Sequence, residues 1–102
     1  MSTTYFHVAD RSYKPGEDLF CWDELERLGC APEWKWEEAD IGFDGDVVCL
    51  FESLDEAREF QAAHSPDGII LRVELPEPAP VRVEEGYPAV YGRVPATYIR
   101  PA

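Results

Sequence analysis

The pattern of apolar and polar residues first indicates a β-strand near the start of the chain. Residues 3–9 combine β-branched and aromatic side chains, which are typical of strands. Alternation along a strand places Phe6 and His7 on opposite faces. The polar residues 10–18 follow and contain a Pro-Gly pair, a frequent turn signal. We therefore predict a strand that leads into a polar loop.

The apolar spacing then changes to that of a short helix. One stripe is formed at i, i+4 and i+7 by Cys21, Leu25 and Leu28. We predict that this helix begins at residue 18 or 19 and ends at residue 28. Asp18 is placed to cap its first turn, and Gly29 is a suitable residue to end it.

A second strand and a second helix follow in the middle of the chain. Residues 47–51 are continuously apolar, as in a strand that is covered on both faces. Ser53 and Glu56 have the spacing of a capping box at a helix start. We predict a helix that ends near residues 65–68, with its buried face formed by Leu54, Ala57, Phe60, Ala63 and His64.

The remainder of the chain has the pattern of strands. Residues 69–75 and 81–84 alternate, and prolines separate the two segments. A last extended segment covers residues 89–99 and is bent by Pro95. The order strand, helix, strand, helix and then strands predicts one small α+β domain that spans residues 1–102.

Residues 30–46 carry most of the uneven charge. Trp34 and Trp36 lie in this stretch, and it contains the acids Glu33, Glu37, Glu38, Asp40, Asp44 and Asp46. We interpret the stretch as an irregular connection. Its acids are either a surface for a basic protein partner or a solvated face, and the tryptophans either mark a binding edge or anchor the core.

The composition limits the classes of function. The formal net charge is -12, from 9 basic and 21 acidic side chains, which disfavours a protein that coats nucleic acid. The chain has no apolar run of the length that spans a bilayer. Its three cysteines are irregularly spaced, which argues for a reducing compartment. We therefore expect a cytoplasmic protein with no membrane partner.

His7 is the first candidate for chemistry, because Arg11, Tyr13 and Lys14 follow it closely. One interpretation is a polar pocket in which the histidine holds a hydroxyl and the basic side chains hold phosphates. The alternative is a half-exposed histidine on an edge strand. The cysteines and histidines lack the spacing of a structural zinc site, so we predict no metal.

Three segments together resemble the ADP-ribosyltransferase superfamily, including its RNA 2′-phosphotransferase-like members. They are the histidine strand at residues 5–11, the strand and capped helix at residues 47–57, and the closing pattern at residues 70–76 and 91–99. The last of these is similar to a closing strand before "IPPEYI". The resemblance implies a small split β-sheet with two helices and a cleft that binds NAD.

The resemblance also implies roles for individual residues. His7 would hold a ribose hydroxyl, while Arg11, Tyr13 and Lys14 would complete the NAD-binding cleft. Alignment of the segments puts Cys49 where the family has a tyrosine that stacks on nicotinamide, and Tyr87 where it has a catalytic glutamate. Glu85 would supply that carboxylate if the strand register shifts by two residues, which keeps the facing unchanged.

Two functions follow as expectations. The first is an ADP-ribosyltransferase-like domain that binds NAD, a small nucleotide ligand, and transfers ADP-ribose to an acceptor, with His7 and Glu85 as catalytic residues. The second is a catalytically inactive acidic interaction module, either an inhibitor or a nucleic-acid mimic, that holds a basic protein through residues 33–46.

Overall fold

The computed structural model describes residues 2–11, 13–29, 46–77, 81–84 and 87–102, with the backbone alone for residues 81–84. The predicted α+β class is confirmed. In chain order the elements are β1 (Ser2–Ala9), β2 (Leu19–Phe20), α1 (Trp22–Arg27), β3 (Val47–Cys49), α2 (Leu54–His64), β4 (Ile69–Pro76), β5 (Val81–Glu84), β6 (Tyr87–Tyr91), β7 (Arg93–Val94), a 3₁₀ helix (Ala96–Tyr98) and β8 (Ile99–Pro101).

The strands form three antiparallel sheets. One has the order β1-β4-β8, the second has the order β3-β6-β5, and the third pairs β2 with β7. An isolated bridge between Phe6 and Phe51 joins the first two sheets. In this bridge the Phe6 amide donates to the Phe51 carbonyl at 2.8 Å, and the Phe51 amide donates to the Phe6 carbonyl at 2.7 Å.

Both faces of the apolar run at residues 47–51 are buried, as predicted, and so are Val8 and Ala9 at the end of β1. Alternate residues of β1 pack into different core clusters: Ala9 belongs to one cluster and Val8 to the other. The same alternation separates Leu50 from Phe51. The β1 residues that precede them follow the predicted alternation, because Tyr5 packs against the first cluster and Phe6 against the second.

Helix α2 covers the second cluster, and its start is close to the prediction. The Ser53 hydroxyl accepts a hydrogen bond from the Glu56 amide at 3.2 Å, which satisfies one of the unpaired amides of the first turn. Ala57 and Phe60 are buried, and the Phe60 ring lies 5.3 Å from the ring of Phe51. The expectation that Ala63 is buried was wrong, because it lies about 90° around the helix from this stripe and is exposed.

The first predicted helix is shorter than expected. Leu19 and Phe20 form β2, which pairs with Val94 and Arg93 of β7, and α1 begins only at Trp22. This pairing keeps Leu19 in the core, with 4% of its surface exposed. The helical spacing of residues 19 and 20 was therefore misleading, because these residues pair with a strand about 75 residues away in the chain. Local spacing carries no information about such a partner.

The two ends of α1 also differ in how well they were predicted. Asp18 does not cap the helix, since the N-cap residue is Cys21 and the Asp18 carboxylate accepts from the Ala96 amide. Gly29 has φ +76°, which confirms it as the residue that ends the helix. Leu28 was predicted to be buried but is 51% exposed, because α1 ends at Arg27 and does not present this residue to the core.

The predicted strand at residues 89–99 is divided into β6, β7, the 3₁₀ helix and the start of β8. Gly92 interrupts it with φ +74°, a conformation that glycine adopts without strain. Its amide donates to Asp46 and its carbonyl accepts from Cys21, both at 2.9 Å. The turn at Gly92 thus connects the end of β6 to both the start of β3 and the start of α1.

Among the described residues, no helix has the length and apolar character that crossing a bilayer requires.

A substitution at Gly68, in the turn between α2 and β4, tests how closely this turn packs against the end of β1. A Cβ atom at Gly68 would meet the Ser65 hydroxyl and would lie 2.8 Å from the Ala9 carbonyl oxygen. We expect Gly68→Ala to lower the free energy of unfolding by about 1–3 kcal/mol, because the backbone of β1 must move. Urea unfolding provides the measurement. Asp67→Ala, at an exposed position in the same turn, is the control and should change stability by less than about 0.5 kcal/mol; equal effects would contradict the prediction.

Candidate functional site

A cavity of about 470 Å³ opens beside the junction of the two larger sheets. It lies among β1, the loop of residues 10–18, β2, α1 and β3. This volume is within the range of pockets that bind small organic ligands. Its apolar walls come from strands β2 and β3 and from α1, while the loop contributes most of the charged residues.

His7 lines the cavity from β1, where it pairs with Leu71 of β4. Its Nδ1 atom lies 2.7 Å from the carbonyl oxygen of Cys49. A carbonyl only accepts, so Nδ1 must carry the proton, and the neutral ring keeps Nε2 as an acceptor. Burial lowers the pKa of His7 to about 4, although the hydrogen bond to Cys49 acts in the opposite direction. His7 is therefore uncharged at neutral pH.

The loop after β1 is held in one shape by its own hydrogen bonds. The Glu17 amide donates to the Lys14 carbonyl at 3.1 Å, and Gly16 has φ +94°, as a type II turn over the Pro-Gly pair requires. The Lys14 amide donates to the Glu17 carboxylate at 2.8 Å, and the Tyr13 hydroxyl donates to the Glu17 carbonyl at 2.8 Å. These bonds hold Tyr13, Lys14 and Glu17 in the cavity wall.

Asp18 attaches this loop to the far end of the chain. One carboxylate oxygen accepts from the Ala96 amide at 2.8 Å, and the other lies 3.5 Å from an Nη atom of Arg93. The pKa of Tyr13 is raised mainly by burial, and the negative charges of Glu17 and Asp18 raise it further. The Tyr13 phenol therefore stays protonated.

The aromatic residues of the cavity come from three elements. Tyr13 lies in the loop, Phe20 in β2 and Trp22 in α1. Trp22 is 8% exposed and also belongs to the second core cluster. Sequence reasoning missed Trp22 as a site residue. It also missed Glu17, which was counted only as part of a polar loop.

Three of the predicted site residues meet in this cavity: His7, Tyr13 and Lys14. Arg11 is exposed and does not belong to the described residues that line it. Glu85 lies outside the described residues, as do Trp34, Trp36 and the acidic stretch up to residue 45. The structure thus brings three of the predicted residues into the wall of one cavity.

The two positions at which the sequence departs from the family that it resembles lie in different surroundings. Cys49 lines the cavity and is bonded through its carbonyl to His7. Tyr87 packs instead against the second core cluster, with its ring edge toward Phe51 at 5.7 Å and 80°. Cys21 and Cys49 are both buried. The described residues contain no group of three or more His, Cys, Asp or Glu side chains arranged to hold a metal ion.

The low pKa of His7 predicts a specific pH dependence of stability. Unfolding exposes the imidazole and raises its pKa to about 6.5, so the unfolded chain binds the extra proton between pH 6.5 and pH 4. The neutral imidazole of His7 thus contributes to the stability of the folded state above pH 6.5, and this contribution is progressively lost as the pH falls. We expect about 2 kcal/mol of lost stability between pH 7 and pH 5 from this residue.

Urea unfolding of the wild type and His7→Gln at both pH values measures this contribution. The wild type should lose about 2 kcal/mol more than the variant on acidification, since the other titrating groups are common to both proteins. An identical loss in the two proteins would show that the imidazole is not buried in its neutral form.

The cavity combines a neutral acceptor at His7, an ammonium group at Lys14 and the carboxylates Asp10, Glu17 and Asp18. Such a site offers hydrogen bonds to hydroxyls and electrostatic contacts of both signs within one apolar pocket.

No family model matches this chain, and no match was found among curated proteins or solved structures.

Proposed function

We propose that this domain is ADP-ribosyltransferase-like and binds NAD in the cavity beside His7. The observation that carries the proposal is the 2.7 Å hydrogen bond between His7 and Cys49, which are 42 residues apart in the chain. These residues come from the first two segments of the family resemblance. Their meeting in one cavity wall supports a common ligand site, because the local patterns of the two segments do not require contact between them.

The chemistry of the cavity is compatible with the parts of NAD. The ribose hydroxyls are donors that suit the unprotonated Nε2 of His7. Lys14 supplies the positive charge for the pyrophosphate. Arg11 was expected to share this role, but it is exposed and does not line the described part of the cavity. The proposal therefore assigns the pyrophosphate to Lys14.

The proposed reaction is the transfer of ADP-ribose to a macromolecular or small-molecule acceptor. The bond between the ribose C1′ and the nicotinamide nitrogen breaks, nicotinamide leaves with the bonding electrons, and an acceptor nucleophile bonds to C1′. Positive charge develops on the ribose during this step, and a nearby carboxylate stabilises it. The proposal assigns that carboxylate to Glu85.

A second candidate is a catalytically inactive interaction module that holds a basic protein. The observation that favours it is the position of Tyr87, which occupies the family's glutamate position and packs against Phe51 in the core. A tyrosine side chain supplies no carboxylate to stabilise the ribose. Under this candidate the cavity binds a ligand or remains structural, and the acidic stretch contacts the partner.

Binding is tested by isothermal titration calorimetry with NAD. We expect the wild type to bind NAD and His7→Ala to bind it about tenfold more weakly, because the variant lacks the hydrogen bond from the ribose hydroxyl to the imidazole. The control is His64→Ala, which removes a histidine from α2, where its ring stacks against Phe60. Circular dichroism should show that both variants are folded. Absence of binding heat with the wild type, or equal affinity of the two variants, would contradict the proposal.

Transfer is tested by following the release of nicotinamide from NAD. We expect slow release by the wild type and at least a tenfold loss in Glu85→Gln, which keeps the size of the side chain but removes its charge. Glu84→Gln is the control, since it makes the same change one residue earlier. NAD binding without release of nicotinamide would exclude the transferase and favour the inactive candidate.

A further inference from the structure

We infer that Asp18 is a positioning residue for the cavity. Its carboxylate ties the loop of residues 10–18 to the C-terminal segment at Ala96, and this contact holds the loop wall in the form that binds the ligand. The inference rests on the proposed function only for the identity of that ligand. The positioning role itself follows from the contacts that Asp18 makes with a segment outside the cavity wall.

The first argument is that strand pairing attaches the loop over a very short distance. β2 pairs with β7 over only two residues of each strand. Pro95 follows β7 and has no backbone amide, so it cannot donate a further bond to the ladder. The Asp18 side chain accepts instead from the next amide, that of Ala96, at 2.8 Å. The side chain thus extends the attachment from β2 into the loop.

The second argument is that the cavity wall lies directly before this attachment. Tyr13, Lys14 and Glu17 line the cavity together with Asp18. The Tyr13 hydroxyl and the Lys14 amide both donate to Glu17, so these bonds determine the shape of the loop but not its place against the strands. Tyr13 packs against the first core cluster, and the contact of Asp18 adds a directional bond that fixes this placement.

The third argument identifies the hydrogen bond, rather than the ion pair, as the contact that positions the loop. The second carboxylate oxygen of Asp18 lies 3.5 Å from an Nη atom of Arg93, whose side chain is 64% exposed. An exposed ion pair of this kind contributes little, because solvent screens it. The bond to Ala96 is shorter and partly buried. Asparagine at position 18 therefore keeps the important contact, since its amide oxygen is also an acceptor.

Asp18 is also a negative charge in the cavity wall, and its two roles predict opposite effects on an anionic ligand. The pyrophosphate of NAD is negatively charged, so loss of the carboxylate would strengthen binding if charge were the main effect. Loss of a positioning contact weakens binding, because part of the interaction energy is then spent on ordering the loop. The direction of the change in affinity therefore separates the two roles.

Calorimetry with NAD and amide hydrogen exchange test the inference. We expect Asp18→Ala to bind NAD about tenfold more weakly than the wild type, and Asp18→Asn to remain within about threefold of it. Without ligand, the Lys14 and Glu17 amides should exchange at least about fivefold faster in Asp18→Ala and within about twofold of the wild-type rate in Asp18→Asn. The control is Asp67→Ala, which removes an exposed acid that does not line the described cavity and should change neither measurement.

A variant on the other side of the contact leaves the loop and its charge intact. Ala96→Pro removes the amide that Asp18 binds, at the first position of the 3₁₀ helix, where proline is tolerated. The preceding residue, Pro95, has ψ 143°, which is suitable for a residue before proline. We expect Ala96→Pro to weaken NAD binding and to accelerate the Lys14 and Glu17 amides by the same factors as Asp18→Ala.

The ligand-free exchange separates this inference from the proposed function. Unchanged loop exchange in Asp18→Ala and Ala96→Pro would overturn the inference, and so would tighter NAD binding by Asp18→Ala. Impairment of Asp18→Ala alone, with Ala96→Pro like the wild type, would also overturn it. Faster loop exchange in both variants, with no binding of NAD by the wild type, would support the positioning role and overturn the proposed function.

Discussion

The junction between β1 and the end of β3 is the contact on which the rest of this structure depends. Phe6 and Phe51 exchange two backbone hydrogen bonds of 2.8 and 2.7 Å, and the next residue, His7, reaches the Cys49 carbonyl with its side chain. This junction unites two three-stranded sheets, and the residues next to it pack into core clusters on both sides. Helix α2 then packs on one side, and the cavity opens beside the junction.

The same junction accounts for the unusual state of His7. β1 is the outer strand of its sheet, and a solvated histidine there would titrate near its ordinary value. Contact with the Cys49 carbonyl and burial in the cavity wall keep the imidazole neutral and in one tautomer. An uncharged ring at this place gives the cavity a hydrogen-bond acceptor without adding positive charge.

Several features were predictable because their causes are local. The capping serine, Ser53, needs only the residues of the next turn, and the Pro-Gly turn before Glu17 needs only four residues. The continuous apolar run at residues 47–51 indicated a strand covered on both faces without indicating its neighbours. His7, Tyr13 and Lys14 were identified as site candidates because they lie close together in the chain, which also keeps them close in space.

The errors at residues 18–20 have a different origin, since they depend on contacts between distant segments. Residues 19 and 20 have a helical pattern but pair with β7, and Asp18 bonds to Ala96 rather than capping α1. Trp22 enters the cavity wall only because this pairing delays the start of the helix. The error at Arg11 has a local cause instead: this residue is near His7 in sequence but is exposed, and it lies in a turn in which the Tyr13 amide donates to the Asp10 carbonyl at 2.9 Å.

The sequence by itself determined the class of the domain, most of its strands, the second helix and the group of residues around His7. These properties follow from periodicity, turn chemistry and capping, which act over a few residues. Only the tertiary structure decided that His7 meets Cys49, that Glu17 and Asp18 face the same cavity as Tyr13, and that the apolar pattern before α1 becomes a strand. These outcomes depend on the pairing of strands far apart in the chain, and no local pattern encodes which strands will pair.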